Sequence, residues 1–106
     1  MTEQQFRLEA GRALGEALRA LVPLAERRGF DLDLQDGVLQ LVFDSPAPAK
    51  FVASPHGPAR QIWISALGRT YRLAWNAEAS AFALEGEALP ALLERLTLDF
   101  LDRHPG

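Results

Sequence analysis

Cysteine is absent from the 106-residue sequence. Its absence excludes disulfides, thiolate metal sites, Cys-ligated iron–sulfur clusters and cysteine nucleophiles from this chain's own chemistry, so a bound metal must use oxygen or imidazole ligands. A basic excess is missing too. Eleven Lys and Arg stand against 14 Asp and Glu, a formal charge of -3, whereas neutralising phosphates normally demands the opposite balance; no nucleic-acid partner is expected. No long apolar run opens the chain. MTEQQFRLEAGRALGEALRAL carries acidic residues early, which argues against a secretory signal, a transit peptide or a membrane span, and cytoplasmic location is the expectation. There is no G-x-S-x-G elbow, no glycine-rich phosphate loop, no pair of acids set among apolar residues, and no internal repeat. Enzymatic turnover by this chain alone is not expected.

Hydrophobic residues, in contrast, make up 48% of the sequence, ample for one core. A chain of this length removes roughly two thirds of its unfolded surface from water on folding. No linker divides the chain, so one domain over residues 1–106 is expected.

Thr2 and Gln5 have the spacing of a capping box, which places a helix start there. Phe6, Ala10, Leu14, Ala17, Leu18 and Leu21 then recur at three- and four-residue steps and form a core-facing stripe. Pro23 is expected either to end this helix or to open a short second one, LAERR, closed by Gly29. From Phe30 the period changes to two. Phe30, Leu32 and Leu34 alternate with Asp31 and Asp33, Asp36-Gly37 supplies a tight hairpin, and Val38 to Phe43 returns as the next strand. SPAPA, a short strand over Lys50 to Ala53, and the turn SPHGPAR lead to QIWIS. Gly68 turns the chain into Thr70 to Trp75, and a weak further strand lies near Phe82 to Leu84. Leu89, Leu92, Leu93, Leu96, Phe100 and Leu101 restore the helical period, and this helix should end near Arg103. Helix, strands and helix in that order predict an α+β two-layer sandwich, with two helices on one face of a five- to six-stranded antiparallel sheet.

Two helices cover only one face. In QIWIS, Ile62 and Ile64 should point inward, leaving Gln61, Trp63 and Ser65 on the open side beside Gln40 and Arg72. Trp63 there is either an aromatic anchor for a partner or a ring lying flat on its strand neighbours. Asp31 and Asp33, at i and i+2, share a face and are placed to hold a hard cation weakly, or to form a solvated polar face. His56, in a Pro/Gly turn, and His104 are each isolated and read as surface residues.

GVLQLVF (Gly37 to Phe43), Lys50 opening a strand, Gln61 and Trp63 in QIWIS, the Gly68 turn leading to Tyr71, and the GExLxxLLE segment from Gly86 to Glu94 together resemble the bacterial, CyaY-type frataxins. The resemblance covers most of the chain and implies the same two-layer sandwich. It further implies an accessory role in iron–sulfur cluster assembly, with an iron–sulfur scaffold protein and a cysteine desulfurase as partners. Gln61 and Trp63, with Arg72 nearby, would belong to the partner-binding surface. Iron would be bound weakly by Asp31, Asp33 and Asp44, and a monomer is expected. The sequence departs from the family at the acidic ridge of the first helix: Glu16 to Arg28 reads EALRALVPLAERR, with two acidic and three basic residues. The alternatives are an iron-sequestering protein without a role in cluster assembly, or a small α+β protein-binding module.

Overall fold

The computed structural model describes residues 1–103; His104 lies outside them. Its first helix, α1, spans Glu3–Arg28. The capping box is formed: the Thr2 hydroxyl accepts from the Gln5 amide at 3.1 Å, and the Gln5 side chain accepts from the Thr2 amide at 2.9 Å. Gly29 ends the helix at φ 75°, a left-handed conformation that glycine adopts without a Cβ clash. Pro23 neither ends the helix nor opens a second one. It sits exposed inside a continuous helix, because Leu21 before it and Leu24 and Ala25 after it are all buried in one core. Packing on both sides of the proline outweighs the missing N–H, whose loss falls on the carbonyl of Arg19.

Seven strands follow: β1 (Asp31–Gln35), β2 (Val38–Phe43), β3 (Ala49–His56), β4 (Gln61–Ala66), β5 (Arg69–Asn76), β6 (Ala81–Leu84) and β7 (Glu87–Ala88). Each pairs antiparallel with the next, giving the order β1-β2-β3-β4-β5-β6-β7. The sheet is thus one strand wider than the sequence predicts. Its extra strand is the two-residue β7, and the closing helix α2 (Leu89–Asp102) begins directly after it. Three hairpins share one loop chemistry: Asp36-Gly37, Leu67-Gly68 and Glu85-Gly86 all have positive φ at both central residues, the primed turn whose twist matches that of paired strands. Only the first announces itself by residue type; Leu and Glu are unusual at the first position.

β3 is also longer than expected, running on through Ser54, Pro55 and His56. Its pairing with β2 stops at Ala53, while its pairing with β4 continues to His56. Pro55 therefore occupies a stretch flanked by a single strand, where a missing ladder donor is tolerated.

Alternation assigns the faces. Leu39, Leu41, Phe43, Phe51, Ala53, Ile62, Ile64, Leu73 and Phe82 point toward the helices and are almost fully buried. Phe43 is the aromatic centre, with ring centroids of Phe30, Phe51 and Phe100 at 4.9, 4.9 and 5.0 Å. At the other end Phe6 of α1 meets Phe82 edge-on at 5.7 Å. Arg28 donates to Asp102 at 2.8 Å, joining the C-terminal ends of two helices that run in the same direction. The opposite sheet face carries no helix.

Candidate functional site

On that open face the indole of Trp63 is half-buried and held by three neighbours. His56 stacks on it with ring centroids 3.8 Å apart and planes 4° from parallel. The Arg72 guanidinium carbon lies 4.7 Å from the ring centroid. The indole N–H donates to the side-chain oxygen of Gln61 at 2.8 Å.

Sheet register explains the assembly. Trp63 is directly opposite Arg72 on β5, and His56, opposite Gln61, is its diagonal neighbour on β3. Aromatic and long side chains reach across such pairs. β3 and β5 flank β4 on opposite sides, so the indole is gripped between an imidazole and a guanidinium. The Gln-x-Trp spacing acquires a physical meaning as well: i and i+2 share a face, which lets Gln61 fix the ring through its N–H. A cation over an indole contributes about 0.5–1 kcal/mol at an exposed site. Arg72 itself is exposed and has no ion pair among the described residues.

Gln61, Trp63 and Arg72 are therefore brought together. Trp63 is on the open face, and its ring lies flat on its strand neighbours His56 and Arg72. His56 is corrected from an isolated turn histidine to the third member of a stack. Its signal was the alternation of Ser54 and His56 with the buried Ala53, which Pro55 and Gly57 obscure.

The acidic residues are arranged differently. Asp31 and Asp33 are both exposed, on one side of the edge strand β1, opposite Val42 and Gln40. Asp44 follows the end of β2, two positions beyond Val42, and is exposed. Among the described residues no three His, Asp or Glu side chains converge closely enough to hold one metal ion; Asp44 is not gathered with Asp31 and Asp33 into such a cluster. Neither is any helix of the described residues long and apolar enough to cross a membrane.

Two helices laid over one side of a meandering antiparallel sheet, with a clasped tryptophan on the bare side, define a small α+β sandwich protein of frataxin-like architecture. The frataxin-like domain matches residues 1–102, and the chain belongs to that family, in its bacterial CyaY form. Among solved structures it is similar to the frataxin of Psychromonas ingrahamii, studied for stability modulation within the CyaY protein family. The TM-score is 0.68 at 16% identity, over 96% of this chain and 93% of that one. At this identity the likeness is one of fold. No curated protein matches the sequence.

Proposed function

We propose that this protein is a non-catalytic accessory factor of iron–sulfur cluster assembly, whose open sheet face docks on the scaffold protein and its cysteine desulfurase. The observation that carries this reading is the clasped Trp63. An aromatic ring already fixed by His56, Arg72 and Gln61 loses little freedom on binding, and preordered aromatic anchors beside arginines are the usual centres of protein interfaces. Family membership supplies the class of partner. Arg72 offers an unpaired guanidinium to a partner carboxylate.

Iron enters as a secondary, weak ligand at the β1 edge. Two carboxylates on one side of a strand, Asp31 and Asp33, with Asp44 nearby, supply few of the six or more oxygens a hard cation takes, and water must complete the shell. The three basic residues of the Glu16–Arg28 stretch oppose cation accumulation on the adjoining helix.

The test is a titration of the isotope-labelled protein with a bacterial scaffold protein, followed by amide resonances. Residues around Trp63 on β3, β4 and β5 are expected to shift, and Trp63→Ala to weaken binding by about 2 kcal/mol or more, the scale of an interface hot spot. Undiminished binding by the variant would sink the role of this face. In a parallel titration with Fe2+, broadening should begin at Asp31 and Asp33; even broadening over all surface acids would count against the iron site.

A further inference from the structure

On the helix side of the sheet, away from Trp63, a cavity of about 360 Å³ lies between the N-terminal half of α1 and the β5–β6 end of the sheet. Glu9, Arg12 and Glu16 form its α1 wall, and Trp75, Phe82 and Leu89 are on the facing side. Glu9 and Trp75 also line an adjoining cleft reached past Leu8, which is 63% exposed.

The wall is unevenly satisfied. The Glu9 side chain is only 24% exposed and meets Arg12 at 3.4 Å as an ion pair without a hydrogen bond. Glu16, about two helical turns further along the same stripe, is exposed and has no cationic partner among the described residues. Trp75 takes the edge-to-face contact of Phe82 at 5.2 Å and is itself half-buried. A half-buried carboxylate, a second free carboxylate and an indole around an apolar floor are complementary to an organic cation. They do not suit a metal ion, which needs more oxygen ligands than this wall supplies and finds no cluster of three in the described residues.

We propose that this cavity binds a small alkyl guanidinium, with the planar cation forked against Glu9 and Glu16 and laid on the Trp75 ring, and the alkyl stem against the half-buried Ala13, Ala81 and Pro90. Guanidinium is favoured over ammonium because it pairs with carboxylate in a fork and stacks on aromatic faces. The volume falls at the small end of ligand pockets, which run from about 300 to 1,000 Å³. Arg12 is then an internal competitor: its own guanidinium occupies Glu9 when the site is empty of ligand. The proposal stands apart from the role assigned to the open sheet face, and neither depends on the other.

The experiment titrates the labelled protein with N-butylguanidinium chloride and, separately, with N-butylurea, a neutral planar analogue. The Trp75 indole N–H and the amides of Glu9 and Ala81 should move with the cation and stay in place with the urea. Glu9→Gln should weaken binding by about threefold or more, and Arg12→Gln should tighten it by a similar factor, the scale of a partly exposed charge pair. Equal shifts from both probes, no shift at millimolar cation, or shifts centred on Trp63 would each overturn the site. Both variants are checked for a native spectrum first. Should Glu9→Gln fail to fold, Arg12→Gln, altered at a largely exposed side chain, still decides the sign.

Discussion

Single side chains settle two questions that the fold leaves open. At Trp63 the proposed docking face is set by His56, Arg72 and Gln61, which take up the ring and its N–H and leave the Arg72 guanidinium exposed beside it. At Glu87 the small strand β7 is fastened to α2. The Arg95 Nε donates to Glu87 Oε2 at 2.8 Å and Nη2 to Oε1 at 2.9 Å, a forked pair. The hydrogen bonds from Arg95 hold the Glu87 carboxyl below its ordinary value against desolvation, with the arginine charge adding to the lowering. A depressed carboxylate in the folded state stabilises above the unfolded value, and that contribution is lost as pH falls through the lower, folded value. In Arg95→Met the Glu87 midpoint, followed by carboxyl carbon shifts, should therefore rise to the ordinary glutamate range. An unchanged midpoint would show that the forked pair is not formed in solution. Both groups lie at the surface, so the effect on global stability is small.

Elements show where sequence periodicity speaks and where packing overrides it. α1 was legible from its capping box and its three- and four-residue stripe, but its length was not, because Pro23 is a strong local stop signal. The helix continues because Leu24 and Ala25 are buried on the same core as Leu14 and Leu21, a tertiary effect with no local signature. Pro23→Ala should restore the donor to the Arg19 carbonyl and raise stability by about 1–3 kcal/mol, measured by urea unfolding. A loss of stability would mean that the proline's bend is needed to seat Leu24. Among the strands, β1, β2, β4 and β5 were readable from alternation, and QIWIS was assigned to the correct faces. β7 was hidden by its two-residue length, and the reach of β3 by Pro55. The stack at Trp63 was half visible: Gln61, Trp63 and Arg72 follow from the alternation of β4 and β5, whereas His56 requires the register of β3 on β4.

In the whole molecule, the two sides of the sheet are assigned different work. One side buries every phenylalanine of the chain against the helices, while the other mixes polar residues with Val42, Val52 and Ala74, and carries the clasped indole and, at its β1 edge, Asp31 and Asp33. Carboxylates thus lie at one edge and the unpaired Arg72 toward the other half, with β2, β3 and β4 between them. Such a polarised face orients an approaching partner as well as attracting it. The proposed docking and the proposed weak iron site therefore occupy separate parts of one face, and truncating the ring should affect the first alone. The most direct test is the rate of cluster formation on a bacterial scaffold supplied with desulfurase, cysteine and iron, in the presence and absence of this protein. The account predicts that the wild-type chain changes the rate and that Trp63→Ala returns it to the value without added protein. No change with the wild-type chain at any stoichiometry, or a full effect from Trp63→Ala, would contradict it.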